Sequence, residues 1–305
     1  MYEIAIILIN YNTSSYTIEC IESIYKNTSD ELNFQVIVVD NCSAMNDYLL
    51  LEKKLNNGLF KNLVLLRNDI NSGFGGGNMF GANHADAKFL AFINNDVVLL
   101  NDCFSILLNQ IKSNKNIGVC GPKNYTTNGN FLSTLDHYCS VEKEIFGRKY
   151  LEFFYPKECP NRRKEYNEIK KGQIISGSFM VFNAIDFWTI GGFDENIFLY
   201  HEETDLCLRL KKINKFAYFV PNAKIIHHHG ASSKKSVEIK TEIKISLLYV
   251  IKKHYGYFHY KILLTYLQLR YLIVAPFKPK YAYLLKVLLN NADLSYSLRN
   301  KKTNE

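Results

Sequence analysis

The sequence of 305 residues predicts an α/β protein with a mostly parallel central sheet, helices on both faces of that sheet, and a helical C-terminal region. In the first 120 residues, short runs of β-branched and other apolar residues alternate with polar stretches of helical length. These runs are nearly continuous in apolar residues, which is typical of parallel strands buried on both faces. Polar or glycine-rich residues follow each of the first four runs, and the length suffices for one large domain with an appendage.

The elements follow in order along this first part of the chain. Strands are expected at Ile4–Ile9, Phe34–Val39, Leu63–Leu66, Phe89–Ile93 and Ile117–Cys120. Helices are expected near residues 15–27, 46–57, 78–88 and 102–114. Ligands of such sheets bind beyond the carboxyl ends of the strands, so the residues that follow the strands are the first candidates for a site.

The middle of the chain has a weaker pattern. Residues 123–172 predict a long, partly irregular insertion with room for a hairpin, and the charge run Arg162-Arg163-Lys164 is interpreted as a solvated face. Gln173–Phe182 predicts a further strand, in which Gly177 permits a close approach of another segment to the backbone.

The cysteines and the first residues indicate the compartment. Seven cysteines are scattered without any CxxC pair, which favours a reducing compartment over a disulfide framework or a zinc site. Glu3 stands where a signal peptide would carry basic residues, and the apolar run after it is very short. We therefore expect a first β-strand rather than an export signal, and a cytoplasmic location.

The excess positive charge lies in the C-terminal part. Residues 1–233 hold 23 Lys and Arg against 25 Asp and Glu, whereas residues 234–305 hold 14 against 4. The longest apolar run there, Ile262–Phe277, is 16 residues long and contains Arg270, so it is too short to span a bilayer. Aromatic residues interleaved with lysines instead predict a segment at the inner surface of a membrane, with plain packing on the rest of the protein as the alternative. We expect no nucleic-acid partner, because residues 1–233 are slightly acidic.

Candidate binding residues follow the strands. They are Asn10, Tyr11 and Asn12 after the first strand, Asp40 after the second, the glycine-rich turn Asn71–Asn78 with Gly73 and Gly75 after the third, and Asn94, Asn95 and Asp96 after the fourth. The turn could bring backbone N–H groups to an anion or could be a structural tight turn, and it lacks the lysine of a P-loop. Several of the polar residues could also be helix caps.

The segment 191–229 adds a group of acids and a histidine triplet. The acids are Asp194, Glu195, Glu202, Glu203 and Asp205, and the triplet begins at His227. Carboxylates near imidazoles fit a metal-assisted transfer reaction, in which one acid takes a proton and others hold a cation or hydroxyls. Asp96 with His227 could hold a divalent cation that carries a diphosphate. The alternative is a solvated acidic turn followed by histidines that end a strand.

Taken together, the short motifs resemble a known family. They are Ile7–Asn12, Val38–Ser43, Asn71–Asn78, Asn94–Asp96, Gly191–Glu195 and Glu202–Arg209, completed by His227, Gly230 and Ser232. Their order and separations over roughly residues 3–233 are similar to those of the family 2 glycosyltransferases with the GT-A fold, particularly the branch described as rhamnosyltransferases. The resemblance implies a catalytic domain over residues 1–233 and a basic, aromatic-rich helical region over residues 234–305.

The resemblance also implies roles for individual residues. The nucleotide-binding residues would be Asn10, Tyr11, Asn12, Asp40, Asn71, Gly73, Gly75, Asn78, Asn94 and Asn95. Asp96 and His227 would bind Mg²⁺ or Mn²⁺, and Glu203 would be the general base, with Glu202 as the alternative base. Asp194 would be a further catalytic residue, and it would meet the acceptor together with Glu195 and Asp205.

Two positions depart from the family's pattern. Asn94 stands where the family's DXD motif begins with Asp, so metal dependence could be weaker, and Glu203 is one methylene longer than the family's Asp. The implied reaction is an inverting transfer from a nucleotide-diphosphate sugar, dTDP-rhamnose or a UDP-hexose, to a saccharide or a lipid-linked saccharide in bacterial surface polysaccharide synthesis. The alternatives are an inactive nucleotide-sugar-binding protein and a sugar-nucleotide pyrophosphorylase, although the latter would carry a basic glycine-rich loop after the first strand.

Overall fold

The computed structural model describes residues 1–56, 58–228 and 236–300. The strands are β1 (Tyr2–Asn10), β2 (Phe34–Asp40), β3 (Leu63–Arg67), β4 (Ala87–Asn94), β5 (Val97–Leu99), β6 (Ile117–Tyr125), β7 (Phe131–Leu132), β8 (Leu135–Asp136), β9 (Lys170–Gly172), β10 (Ile174–Ile175), β11 (Phe179–Asn183) and β12 (Phe216–His227). The helices are α1 (Ser14–Asn27), α2 (Met45–Leu55), α3 (Gly73–Asn83), α4 (Cys103–Ser113), α5 (Val141–Phe146), α6 (Arg148–Phe154), α7 (Ala184–Thr189), α8 (Glu202–Lys212), α9 (Val237–Val274) and α10 (Ala282–Leu289). Short 3₁₀ turns lie at Pro279–Tyr281, Leu294–Tyr296 and Leu298–Asn300.

The central sheet has the strand order β3-β2-β1-β4-β11-β6-β12-β5. Its first four strands are parallel, and β1 pairs with both β2 and β4. The second half is mixed, because β11 runs antiparallel to β4 and β6 while β12 runs parallel to β6. The five strands predicted for the first 120 residues all form, and the parallel half brings the polar ends of β1, β2, β3 and β4 to one edge.

Side chains alternate between the two faces of the sheet and build two cores. Along β1, Ile4, Ile6 and Leu8 belong to the core under α1 and α4, whereas Ala5 and Ile7 belong to the core on the opposite face. All of these side chains are fully buried. The near-continuous apolar pattern of the strands therefore reflects burial on both faces.

The third helix was predicted at residues 78–88 and forms at Gly73–Asn83 instead. The helix starts early because its glycines allow it to lie close to the sheet. A Cβ atom at Gly81 would be 2.6 Å from Cγ2 of Ile7, and one at Gly77 would be 3.0 Å from Cδ1 of Ile9. Glycine usually disfavours a helix, but here glycines are needed for close packing on the sheet.

The middle of the chain differs from the prediction in two ways. The insertion at 123–172 contains the helices α5 and α6 as well as short strands. The single strand predicted at Gln173–Phe182 is wrong, because the chain turns at residues 176–178. Ile174 and Ile175 then pair with β8 in a small separate sheet, while β11 enters the main sheet.

The C-terminal helices form a third core. Helix α9 bends at Gly256, whose φ of 86° and ψ of 176° are not helical. Lys240 Nζ, near the start of α9, donates to the Tyr281 hydroxyl at 2.9 Å. Tyr281 follows the second half of α9, so the chain folds back on itself. Among the described residues, no helix is both long and apolar enough to cross a bilayer. The domain boundary predicted at residue 233 lies outside the described residues, as do Gly230 and Ser232.

Candidate functional site

The ends of β1 and β2 form a buried polar corner. The Asn10 side-chain amide donates to Asp40 Oδ2 at 2.9 Å and to Asp47 Oδ2 at 2.8 Å, and Thr17 Oγ1 donates to Asn10 Oδ1 at 2.8 Å. Asp40 and Asn10 are fully buried. Of the nucleotide-binding residues predicted here, these two therefore hold the corner together, whereas Tyr11 is half-buried and Asn12 is exposed.

Asn12 forms the outer wall of this corner. Its φ of 55° is in the left-handed region, which asparagine tolerates better than most residues. Its backbone N–H donates to Ser43 Oγ at 2.9 Å, and its side-chain oxygen accepts from Ala44 N–H at 2.8 Å. Asn12 thereby joins the loop after β1 to the loop after β2.

Asn41 organises the glycine-rich turn. Its amide nitrogen donates to Asn71 Oδ1 and to the Gly73 carbonyl, each at 3.0 Å, and its oxygen accepts from Asn68 and Ser72. This residue was not predicted as functional, because its partners lie about thirty positions away (27 to 32). Together these bonds fix the start of α3.

The glycines of the turn approach protein backbone. A Cβ atom at Gly73, whose φ is 75°, would be 2.1 Å from the Phe198 carbonyl oxygen, and one at Gly75 would be 3.3 Å from that of Ile197. Phe74 N–H donates to the Phe198 carbonyl at 2.9 Å, and buried Asn78 donates to the Phe74 carbonyl. The tight-turn interpretation therefore accounts for these glycines, and nucleotide contacts of Gly73, Gly75, Asn71 and Asn78 stay predictions.

The end of β4 meets the end of β12. His227 Nε2 lies 3.1 Å from Asp96 Oδ1 and 3.4 Å from Asn94 Nδ2, and the Asp96 carbonyl accepts from His228 N–H at 3.0 Å. Asn95 donates to the hydroxyls of Thr13 and Thr17. Asp96 and His227, which are 131 positions apart in the sequence, are thus neighbours, as the sequence predicted.

A carboxylate and an imidazole in this arrangement suit a divalent cation that keeps open positions for phosphate oxygens. They would supply two protein ligands, and among the described residues no cluster of three or more His, Cys, Asp or Glu side chains occurs. The neutral Asn94 lies beside His227, and the weaker metal dependence expected from its sequence position stays a prediction.

Glu203 lies next to the end of β4. Its Oε1 accepts from Gly177 N–H at 3.1 Å, and the following residue, Ser178, accepts from Asn94 N–H through its carbonyl at 2.9 Å. A Cβ atom at Gly177 would be only 2.5 Å from Glu203 Oε1, so glycine is required for this approach. One short segment therefore connects the acid predicted as the base to β4, the strand that leads to Asp96.

Ser178 is a site residue that the sequence did not reveal. Its hydroxyl accepts from Asn124 Nδ2 at 2.8 Å and lies 3.1 Å from Ser176 Oγ. The signal was hidden because residues 173–182 look like one uninterrupted strand.

Both glutamates at the start of α8 are destabilised as anions. Burial, and after it the charge of Glu203, raises the pKa of Glu202 well above its usual range, and one Glu202 carboxylate oxygen has no hydrogen-bond partner among the described residues. Burial also raises the pKa of Glu203. The two residues before them, Tyr200 and His201, have φ angles of 67° and 69°, a strained conformation that is often found at functional sites.

The predicted acceptor residues lie on the side of α9. Asp205 is fully buried and bonded by His254 Nε2 at 2.7 Å, Lys253 Nζ at 2.6 Å and Arg209 Nε at 2.9 Å. Asp194 Oδ2 accepts from Tyr249 and Lys253, each at 2.8 Å, and Glu195 is exposed. The carboxylates of Asp194 and Asp205 are thus occupied by helix α9, and their acceptor contacts stay predictions.

Comparison with known proteins adds the following. Residues 5–191 match the model of a protein family described as "Glycosyl transferase family 2". The chain is similar to rhamnosyltransferase WbbL of Escherichia coli, with 26% identity over 81% of this chain and 92% of that protein. It is 26% identical to N-acetylgalactosaminyltransferase 6 of Drosophila melanogaster over 73% of this chain, a match that spans only 34% of the fly protein. A shorter match, 31% identical over 27% of this chain and 28% of the other, is to N-acetylglucosaminyl-diphospho-decaprenol L-rhamnosyltransferase of Mycobacterium tuberculosis.

Solved structures agree on the fold. GalNAc-T7, crystallised with UDP, GalNAc and Mn²⁺, superposes with a TM-score of 0.64 at 14% identity over 99% of this chain and 56% of that one. The mannosyltransferase PcManGT of Pyrobaculum calidifontis, in complex with GDP-Man and Mn²⁺, superposes with a TM-score of 0.56 at 12% identity over 97% and 87%. These likenesses confirm the GT-A fold.

Proposed function

The chain belongs to glycosyl transferase family 2, and we propose that it catalyses an inverting transfer of a sugar from a nucleotide-diphosphate donor to a hydroxyl of a saccharide or lipid-linked saccharide. The observation that carries this proposal is the contact of Glu203 with Gly177, one residue before the partner of Asn94. It supports a base beside the strand whose end carries the candidate diphosphate-binding residues Asn94 and Asp96.

The proposed step is a single displacement. The acceptor oxygen forms a bond to the anomeric carbon while the bond from that carbon to the diphosphate oxygen breaks, and the nucleoside diphosphate leaves with the electron pair. Glu203 takes the proton of the acceptor hydroxyl. Attack from the face opposite the leaving group inverts the anomeric configuration. A raised pKa suits this role, because it makes Glu203 a stronger base than an exposed glutamate.

Asp96 and His227 are the residues that would hold Mg²⁺ or Mn²⁺. The ion would supply positive charge for the oxygens of the departing diphosphate. Two observations support a divalent cation: the 3.1 Å pairing of a carboxylate oxygen with an imidazole nitrogen, and the Mn²⁺ in the structures of GalNAc-T7 and PcManGT.

The relatives suggest substrates. Two of them are rhamnosyltransferases, so dTDP-rhamnose is the first donor to test, with UDP-hexoses next. The name of the mycobacterial relative specifies a sugar linked through a diphosphate to a lipid, and we propose an acceptor of that class, used in bacterial surface polysaccharide synthesis.

A lipid acceptor requires access to a membrane, and the second half of α9 supports a peripheral contact at the cytoplasmic face. Its inner face packs through Leu263, Leu264 and Leu267, which are buried. Its opposite face leaves Phe258, Leu269 and Ile273 exposed at 73%, 58% and 69%. The exposed apolar face of this half of α9 has no protein partner among the described residues. With lysines nearby, such a face favours binding to an anionic bilayer.

The base is tested by exchanging each glutamate for its isosteric amide. Glu203→Gln is expected to lower kcat about 10²–10⁴-fold, the usual contribution of a positioned base, without changing the dissociation constant of the nucleotide sugar. Donor binding is measured by calorimetry and transfer by release of the nucleoside diphosphate, with and without Mn²⁺. Glu22→Gln, an exposed change on α1, serves as the control.

Two outcomes contradict the proposal. If Glu203→Gln keeps near-normal turnover while Glu202→Gln loses it, then Glu202 is the base. If wild-type protein binds nucleotide sugars but transfers none to any hydroxyl acceptor and hydrolyses none, the protein is a binding protein and the proposed reaction is wrong.

A further inference from the structure

A basic cavity lies in the insertion between β6 and β11, outside the site described above. It has a volume of about 670 Å³ and is lined by Arg148, Lys149, Glu152 and Phe153 of α6 and its surroundings, and by Arg162 and Arg163. The sequence was interpreted as placing Arg162 and Arg163 on a solvated face. Arg163 and Lys164 are exposed, in agreement with that interpretation, and Arg162 and Arg163 share one concavity with the two further cations Arg148 and Lys149.

The positive charge of this cavity exceeds its negative charge. Asp136 is shared by Arg148, which binds it with two contacts of 2.8 Å, by Lys143 at 3.6 Å and by Arg162 at 3.8 Å. Arg162 Nε is buried and makes no hydrogen bond to any described residue, since Asp136 at 3.8 Å is too distant for one. Thus one carboxylate faces three cations, and a buried donor at the cavity lacks a hydrogen bond within the described part of the chain.

The remaining charges do not restore the balance. Glu152 also lines the cavity, and its Oε1 binds His137 Nε2 at 3.1 Å and Arg162 backbone N–H at 3.2 Å, so the lining holds one acid against four cations. Lys149 and Arg163 form no ion pair with any described residue. Guanidinium groups beside an ammonium group suit the oxygens of a phosphate, which arginine can bind in a bidentate manner.

An aromatic surface borders the cavity. Phe146, Phe153 and Phe154 are 61%, 78% and 58% exposed, and the Tyr150 ring stacks between Phe146 at 4.9 Å and Phe154 at 4.6 Å. Helix α6 therefore presents cations and exposed aromatic rings side by side. Aromatic rings with adjacent cations are typical of contacts to the interface of a membrane.

The cavity is linked to the proposed base by a short series of contacts. Arg148 and Arg162 of the cavity contact Asp136, and Asp136 pairs with Ile174 of β10. The Cα atoms of Ile174 and of Gly177, which binds Glu203, are at most about 11 Å apart. Burial is the main cause of the raised pKa of Glu203, and the charges of Asp136 and Lys143 also act on it. A phosphate in the cavity and a hydroxyl at Glu203 would therefore lie in adjoining parts of the molecule.

We propose that this cavity binds the diphosphate of a lipid-linked acceptor, with the lipid chain leaving over the aromatic surface of α6. This inference rests on the proposed function for the identity of the acceptor. It assigns the phosphate recognition of the acceptor to Arg162, Arg163 and Lys149, which lie apart from Asp96 and His227. The reacting hydroxyl of the same acceptor then reaches Glu203.

The test uses the full chain with the double substitution Lys149→Gln and Arg163→Gln, since these side chains support no ion pair that folding needs. The matched control, Lys26→Gln with Lys115→Gln, removes the same charge from exposed positions elsewhere. The first measurement is calorimetric binding of inorganic pyrophosphate without divalent cations. Wild type and control are expected to bind it, and the double variant to bind it about ten-fold or more weakly, as for the loss of a charged hydrogen bond.

The second measurement compares two acceptors, N-acetylglucosamine linked through a diphosphate to a short prenyl chain and octyl N-acetylglucosaminide, which has no phosphate. The double variant is expected to raise KM for the diphosphate acceptor at least ten times more than for the octyl acceptor. Equal changes for both acceptors overturn the inference. Weakened binding of free pyrophosphate together with an unchanged KM for the lipid acceptor also overturns it, because the cavity then binds free phosphate only.

Failure of the proposed function is distinguishable from failure of this inference. If wild type transfers no sugar, but binds the prenyl diphosphate acceptor more tightly than the double variant does, the cavity is a lipid-diphosphate site and the reaction is wrong. If wild type transfers sugar, and the double substitution changes neither pyrophosphate binding nor the KM for the diphosphate acceptor, the proposed reaction is supported and the cavity assignment is wrong.

Discussion

At the scale of single residues, the absence of a side chain at residue 177 decides where Glu203 lies. A Cβ atom there would be 2.5 Å from Glu203 Oε1 and 3.1 Å from its Cδ, and both atoms belong to a flexible side chain that can move. Gly177→Ala is therefore expected to fold, with an unfolding temperature close to that of wild type. A displacement of about 1 Å of a catalytic group can cost about 100-fold in rate, so kcat should fall by roughly that factor.

The measurements are kcat by nucleoside-diphosphate release and unfolding temperature by calorimetry. Ser105→Ala on α4, which takes part in none of the site contacts described above, is the control for a change of one small group. Full activity of Gly177→Ala would contradict the assignment of Glu203 as the base. A large loss of stability would mean that the alanine moves the backbone rather than the glutamate.

The buried pair of glutamates predicts how stability depends on pH. The pKa of Glu202 is raised in the folded state, so the folded protein holds this proton more tightly than the unfolded chain does, whose glutamates titrate near about 4.3. Above that pH the unfolded chain loses this proton while the folded protein keeps it. The free energy of unfolding then falls by up to about 1.4 kcal/mol for each pH unit until the folded pKa is reached. Glu202→Gln removes this cost.

Glu202→Gln should therefore be more stable than wild type at pH 7.5, and the difference should shrink as the pH falls towards 4. Denaturant unfolding at several pH values measures it, and Glu22→Gln, which changes an exposed glutamate, should show no such trend. A difference that grows on acidification would show that the Glu202 pKa is lowered instead.

A site residue could be predicted where the residues next to it in the sequence already indicate its position in the fold. Asn10, Asp40 and Asp96 follow buried strands, and the convergence of parallel strands at one edge is a property of the fold class. Asn41 and Ser178 escaped prediction because their bonds join segments that are distant in the sequence. Gly177 stood out in the sequence, but the group that approaches it could be found only in three dimensions.

At the scale of elements, α8 and α9 are joined by an ion cluster around Asp205. Burial acts to raise the pKa of Asp205, but the hydrogen bond from His254 and the charges of Arg209 and Lys253 hold it well below its usual range. This stabilisation is present above the unfolded pKa of about 3.9 and is lost as the pH falls through the lower folded value. Asp205→Asn would remove the carboxylate that pairs with Arg209 and one of the two that pair with Lys253.

Asp205→Asn is expected to cost about 3–5 kcal/mol of unfolding free energy at pH 7, as for removal of one partner of a buried ion pair. The cost should fall below pH 4. Asp186→Asn, which breaks a pair with half-buried Lys215, should cost no more than about 1 kcal/mol. If Asp205→Asn retained its stability and lost acceptor binding, the acceptor role predicted from the sequence would be correct.

The elements themselves were predictable where they are long and periodic. The five strands of the first 120 residues are apolar runs bounded by polar residues, and all of them form. Helices α5 and α6 have six and seven residues, too few to show a period, and contacts such as the pairing of Arg148 with Asp136 hold them in place. Helix α3 shifted because glycines were interpreted as a turn before the helix rather than as its packed face.

At the scale of the whole molecule, the GT-A half and the C-terminal helices differ in charge and in exposed surface. The proposed membrane contact combines the exposed apolar face of α9 with Phe277, which is 83% exposed, and with Lys278 and Lys280 beyond it. Each lysine near an anionic surface contributes about 1 kcal/mol at moderate salt, and the contribution is screened within a Debye length of about 10 Å at 0.1 M salt. Binding to vesicles should therefore depend on both lipid charge and salt.

Lys278→Gln with Lys280→Gln should lower partitioning onto vesicles of anionic lipid by about 30-fold at low salt, the equivalent of about 2 kcal/mol. Ile273→Ser with Phe277→Ser should weaken binding at every salt concentration, because it removes apolar burial rather than charge. Cosedimentation measures both, with Lys26→Gln and Lys115→Gln as the charge-matched control. The lysine pair acts through charge and the apolar pair through burial. At 1 M salt, therefore, only the effect of the lysine substitutions should vanish. Wild-type protein that stays in the supernatant with anionic vesicles at low salt would contradict the membrane contact while leaving the transfer chemistry of Glu203 untouched.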